Sequence, residues 1–441
     1  MSILAMGSNA AESDAEGFSV TRLGDQAFST NYIGVRLPIG KIYVGLMEAS
    51  ARSDISGAGI YEGRLSKDEL LQAQQIHQSL CKAAKESPKN ELSMIEPAEL
   101  FSVDCMEEGR IENRQGKTYE LSRKLALLID DFYERAEKTY LKDGRIISKI
   151  DATVEKLTRE GNSFSVSVKF INNGLFPIKV DSPAQWNKNF YHLNISAKRL
   201  SSDDIWAMDL TGLIPSNAGK LAWQERTSPD GDVIKYMTIP SRSSMTLDFI
   251  VTPNKKITKG TYDLSASINM YANVVGSANM GRVNFHSDWS NPTRTTFDRD
   301  YPSTPQEWKD FEARKAKEVS FLMPGATLAE SGYYRAASIA GTRDQFVRKF
   351  EQGTAAPDLD FQRWDRWEWE ADLARATVCK PGETCPREGR WILRAKDYSY
   401  GSKGDLTYPQ HQQLFRMGEQ SRSIDVANVD GSRLFWEWLS A

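Results

Sequence analysis

The chain of 441 residues is poor in the side chains that most often carry chemistry. It holds four histidines, His77, His192, His286 and His411, and four cysteines, Cys81, Cys105, Cys379 and Cys385. No two cysteines form a Cys-x-x-Cys pair, so the common zinc and dithiol motifs are missing. Neither sign of charge dominates: 56 Lys and Arg stand against 59 Asp and Glu. A net charge of −3 offers no broad basic field to nucleic acid or an acidic membrane. No apolar run reaches the roughly 18 residues of a membrane span. The phosphate-cradling glycine loops and the Gly-x-Ser-x-Gly elbow are also absent. These gaps leave no catalytic residue, cofactor site or metal site to name.

Three sparse signals remain. His77 and Cys81 stand four apart on a predicted helix, the spacing of half a metal site. No second pair accompanies them, so a packing or surface role is the expectation. His286-Ser287-Asp288 could orient an imidazole towards a carboxylate, which keeps a hydrolase with an unrecognised triad as one alternative. Cys379 and Cys385 flank a Pro-Gly turn that could bring them together. Free thiols in a reducing cytoplasm are the expectation for this pair. Residues 1–20 lack a basic, then long apolar, leader and are expected to form a tail; a removed signal would place the chain in the periplasm instead.

What the sequence does contain is a duplication. Pro324, Thr327 and Gly332 recur at Pro381, Thr384 and Gly389, each 57 residues on. Phe350 and Gly353 recur at Phe415 and Gly418, 65 residues on. Trp367-Glu368-Trp369 recurs at Trp436-Glu437-Trp438, 69 residues on. The register slips only between these anchors, as it does when loops differ in length. Each unit reads as a Pro-Gly turn, a Gly-aromatic strand at Tyr334 or Trp391, a Phe-x-x-Gly turn and a Trp-Glu-Trp strand. Seven of the eleven tryptophans follow residue 300, which suits small sheets that need large side chains to gain buried area.

The remainder divides by period. Ser66 with Glu69 forms a capping box before a helix that Pro88 stops. A second helix is expected over about 118–142, with Leu121, Leu125, Leu128, Phe132, Ala136 and Tyr140 along one face. From Arg145 the period becomes that of strands, and five or six of them up to Met270 predict an antiparallel β-sandwich. Leu247–Val251 with Gly260–Ala266 resembles late strands of immunoglobulin-like domains. Residues 275–303 look like a linker, and Thr304-Pro305-Gln306-Glu307 opens a third helix.

The predicted fold class is therefore α+β and multidomain. A tail, 1–20, precedes a mainly helical region, 21–144; a β-sandwich with its linker, 145–300, follows. A helix with the first Trp-rich module covers 301–375, and the second module 376–441. Packing accounts for most of the Gly and Trp pattern. Arg363, Arg366, Arg390 and Arg394, with Tyr398 and Tyr400, are the candidates for an interface, because Arg and aromatics dominate binding hot spots. The acids beside Arg363-Trp364-Asp365-Arg366-Trp367 argue against base stacking, so no nucleic acid is expected.

The second unit resembles a motif repeated in bacterial immunity proteins of polymorphic toxin and type VI secretion systems. The residues that carry it are Cys385-Pro386-Arg387-Glu388-Gly389-Arg390-Trp391, Phe415-Arg416-Met417-Gly418-Glu419 and Phe435-Trp436-Glu437-Trp438. The first unit departs from it at Leu328-Ala329 and at Thr354. The resemblance implies a non-enzymatic protein that binds and neutralises or chaperones a cognate toxin or effector, and it brings no catalytic residue. The alternative is a carbohydrate- or cell-wall-binding protein, with exposed Trp pairs stacking on sugar rings.

Overall fold

The computed structural model describes residues 16–23, 30–48, 55–86, 100–107, 110–117, 121–161, 163–186, 191–227, 233–253, 255–276, 280–287, 292–318, 321–339, 343–370, 373, 376–397 and 405–440. Among them are twenty-five strands and three α-helices. That balance overturns the expected helical N-terminal region. Six strands lie there: β1 (Gly17–Leu23), β2 (Thr30–Arg36), β3 (Lys41–Leu46), β4 (Ala58–Arg64), β5 (Leu100–Glu107) and β6 (Arg110–Lys117). The helices α1 (Lys67–Glu86) and α2 (Arg123–Asp143) pack on them. Helical spacing made α1 and α2 visible in the sequence. The strands are short, and their partners lie far off along the chain, as where Phe18 stands opposite Cys105.

Strands β7 (Arg145–Glu160) and β8 (Ser163–Asn172) continue the same sheet. β4 pairs with β7, so the sheet runs unbroken across residue 144, where a change of region was expected. Burial alternates at every residue of β8, with Phe164, Val166, Val168 and Phe170 inside. Next come β9 (Ile178–Asp181), β10 (His192–Arg199), β11 (Ile205–Asp209), β12 (Gln224–Thr227) and β13 (Val233–Ile239). Then follow β14 (Ser243–Val251), β15 (Gly260–Val274), β16 (Gly281–His286) and β17 (Thr293–Phe297). β14 closes the nine-stranded sheet in the order β14-β8-β7-β4-β3-β2-β1-β5-β6. The others form an eight-stranded sheet around β15. Thus β14 and β15, the pair that resembled neighbouring immunoglobulin-like strands, belong to different sheets. Residues expected as linker supply β16 and β17. One continuous core joins both sheets and both long helices.

Helix α3 (Pro305–Glu318) is fastened to this core at its first turn. Thr304 Oγ1 accepts from the Glu307 N–H at 3.2 Å, and the Glu307 carboxylate takes the Ser303 N–H at 2.8 Å. The same carboxylate, almost fully buried, pairs with Arg159 at 2.5 Å and Arg299 at 3.0 Å. Burial opposes its charge, but these bonds outweigh that and hold it at about 2.

Two four-stranded sheets complete the chain. The first has β18 (Phe321–Leu322), β19 (Gly332–Ala337), β20 (Arg343–Phe350) and β21 (Arg366–Trp369), in the order β18-β21-β19-β20. The second has β22 (Val378–Cys379), β23 (Gly389–Ala395), β24 (Leu406–Phe415) and β25 (Leu434–Ser440), in the order β22-β25-β23-β24. The two orders are the same.

Candidate functional site

The duplicated residues occupy matching places in the two modules. In each, the Pro-Gly turn and the Phe-x-x-Gly turn are clipped together by backbone bonds. Gly353 N–H donates to Leu328 O, and Gly418 N–H to Cys385 O, both at 2.9 Å. Gly353 and Gly418 adopt φ of 80° and 84°, where glycine avoids the usual strain. Trp367 lies edge-on to Phe350 at 4.8 Å, and Trp436 to Phe415 at 5.1 Å. Their indole N–H groups donate to Pro357 O and Arg422 O, which are equivalent positions. Gly332 and Gly389 make room for the second tryptophan of each pair. A Cβ there would lie 2.9 Å from Trp369 Nε1 and 2.3 Å from Trp438 Nε1.

Trp367, Trp391, Trp436 and Trp438 are buried, Tyr334 stacks on Phe350, and Trp369 is half-buried. Pro324 and Pro381 are half-buried at the turns. Cys379 and Cys385 lie in the second core with their sulfurs 3.9 Å apart. Each Trp-Glu-Trp glutamate points to the outer face. Glu368 pairs with Arg366 and Arg343, and Glu437 with Arg394 and Lys235.

The interface candidates separate. Arg394 is buried, and its guanidinium joins Glu437 to Glu225 of β12, so it fastens the second module to the central sheets. Ile214 and Ala218 extend that junction into the module core. Arg366 is half-buried over Phe321 at 5.1 Å. Arg363 and Arg390 are exposed, with no ion pair among the described residues. Tyr398 and Tyr400 lie outside the described residues.

The modules contact each other asymmetrically. On the outer face of the first, Tyr333 and Val347 are buried, and Tyr333 O–H donates to Cys385 O at 3.3 Å. Phe346 meets Phe435 edge-on at 6.2 Å. On the second module, Arg390, Gln412 and Leu414 fill the places of Tyr333, Val347 and Lys349. All three are exposed, Leu414 by 68%, and Arg390 stands opposite Leu414 in the β23–β24 register. Met417, also exposed, follows in the next turn. Leu414 was missed in the sequence; its equivalence to Lys349 was the available signal.

Two histidines that are far apart in sequence, His192 and His286, come from the strands on either side of Ser267. His286 stands opposite Ser267 on β15, while His192 Nε2 lies 3.0 Å from Ser267 Oγ. Burial lowers the pKa of His286. Asp288 lies outside the described residues, so the pairing behind the hydrolase alternative is not described. His77 and Cys81 sit on one face of α1, and the structure brings Cys105 and Glu107 of β5 to them. The Cys105 thiol beside it and the His77 imidazole lower the thiol pKa of Cys81, against the effect of burial. No helix among the described residues is long and apolar enough to cross a membrane.

No protein-family model and no curated protein sequence matches the chain. Likenesses to solved structures are slight. The putative ApaA protein from Bordetella pertussis is 7% identical, with 35% of this chain and 97% of that one covered, at a TM-score of 0.20. A β-glucosidase from Kluyveromyces marxianus is 9% identical over 38% of this chain and 17% of that one, at 0.16. The thioester domain of the Enterococcus faecium TIE86 protein is 13% identical over 62% and 86%, at 0.15. At such TM-scores none bears on the fold or function of this chain.

Proposed function

We propose that this chain is a non-enzymatic binding protein that neutralises or chaperones a bacterial toxin or effector by direct contact. The observation that carries the reading is the exposed patch of Arg390, Gln412 and Leu414. On the first module the equivalents Tyr333 and Val347 are buried, with Tyr333 bonded to the second module, while Lys349 is exposed, so part of this surface already holds a protein neighbour. Arg is enriched in interface hot spots, and an exposed large apolar side chain beside it suits an interaction surface. The class of partner comes from the resemblance of the second unit to immunity-protein motifs. The burial of Trp367, Trp436 and Trp438 weighs against sugar stacking, since none offers a ring face to solvent.

The test is co-expression with the product of the neighbouring gene. Growth rescue and a co-purifying complex are expected, both lost with Leu414→Asp. A folded chain that neither rescues growth nor forms a complex would overturn the reading.

A further inference from the structure

We infer that His77, Cys81, Cys105 and Glu107 form a binding site for a thiophilic divalent cation of the zinc type. The site lies between α1 and β5, away from the tandem modules, and does not depend on their proposed function. His77 and Cys81 are four residues apart, so they share one face of α1. Cys105 and Glu107 are two apart, so they share one face of β5. Packing α1 over β5 makes the two pairs converge. Ligand atoms of His77, Cys81 and Glu107 lie within 4.8 Å of one another, and the Cys105 thiol hydrogen-bonds that of Cys81. Tetrahedral zinc places its donors about 3.3–3.8 Å apart. Shifts of about 1 Å would therefore bring these three donors to zinc distances, and Cys105, beside Cys81 but outside that group, would turn in as the fourth.

The surroundings also suit a cation. His77 Nε2 lies 3.0 Å from Met106 O. A proton on Nε2 satisfies that carbonyl and leaves Nδ1 with its lone pair, the arrangement typical of a metal-bound imidazole. Glu107 Oε2 is paired with Lys85, which leaves Oε1 for a ligand bond. His77, Cys81 and Cys105 are buried, while Glu107 and Lys85 reach the surface and provide an entrance. One imidazole, two thiols and one carboxylate match zinc and do not match magnesium or calcium, which take oxygen shells. Binding would release the two thiol protons to solvent. Two thiolates and one carboxylate around a divalent cation carry one net negative charge, which the Lys85 ammonium offsets.

The experiment uses the reduced, tag-free full chain, stripped with a chelator and titrated first with Co2+ and then with Zn2+. The expected result is one cation per chain and a thiolate-to-cobalt charge-transfer absorption that Zn2+ abolishes. Zn2+ should also slow alkylation of Cys81 and Cys105, read by mass spectrometry. Cys81→Ser should weaken the absorption, and Cys81→Ser with Cys105→Ser should remove it. Glu107→Gln, at a partly exposed position, should fold normally and weaken binding by about tenfold or more. Four results would overturn the inference. These are no charge-transfer absorption from the reduced chain, an absorption that survives Cys81→Ser with Cys105→Ser, unchanged affinity in Glu107→Gln, or a Cys81–Cys105 disulfide whose reduction restores no cation uptake.

Discussion

Trp438 lays its indole edge against Gly389, whose φ is 143° and whose missing Cβ would come within 2.3 Å of Trp438 Nε1. The same indole donates to Glu388 O at 3.1 Å, so the ring is held in place from its polar end. Gly389→Ala should therefore cost about 3 kcal/mol, from overpacking and backbone strain together. Gly332→Ala should cost only about 1 kcal/mol, because Trp369 is half-buried and can turn away. Urea denaturation of the two variants tests the order; equal losses would contradict it.

Arg394 should behave as a fastener. Burial works against the charge on Glu437, yet Lys235 and Arg394 lower its pKa. Arg394→Met would leave half-buried Glu437 short of a partner and should cost about 2 kcal/mol. Adding Glu437→Gln to that variant should recover part of the loss, because the uncompensated charge goes. Thermal unfolding of both, with limited proteolysis between 373 and 397, would detect release of the second module.

The first turn of α3 predicts an acid-sensitive junction. The Glu307 carboxyl ordinarily titrates near 4.5 and is held at about 2 in the fold. A lowered folded pKa gives stability that is complete above about pH 4.5 and is lost as the pH falls towards 2. The melting temperature of Glu307→Gln should lie below that of the parent chain from pH 7 to pH 5. The gap should close by about pH 2, near the folded value. A gap that stays constant over this range would assign the effect to packing alone.

The open patch on the second module should be dispensable for folding. Arg390→Glu and Leu414→Asp alter exposed side chains and should move stability by no more than about 0.5 kcal/mol. Under the proposed function, each should weaken the complex by tenfold or more, about 1.4 kcal/mol. Calorimetry with the co-purified partner measures both quantities. Loss of binding together with loss of fold would show the patch to be structural.

Local chemistry was legible and long-range pairing was not. Ser66 and Glu69 form their reciprocal bonds at the start of α1, and Thr304 with Glu307 does so at α3. Both boxes are written within four residues. β6, an edge strand, reads Arg-Ile-Glu-Asn-Arg-Gln-Gly-Lys and carries no apolar alternation, so nothing in its residues announces a strand. The helix pair His77 and Cys81 was visible; its partners Cys105 and Glu107 come from β5, whose place is fixed by pairing with β1. Arg394 looked like an interface residue by type. Only the docking of β12 against the second module shows its partners to be internal.

The junction of β4 with β7 also bears on how the molecule can be divided. β7 is sixteen residues long, with β8 on one side and β4 on the other. A chain severed at residue 144 would leave the β4-facing edge of β7 bare, with a row of unpaired amides and carbonyls. Such an edge recruits other strands, including copies of itself. The half that looks helical in the sequence therefore serves as the guard strand of the other half. Separate expression of 145–441 should yield aggregates.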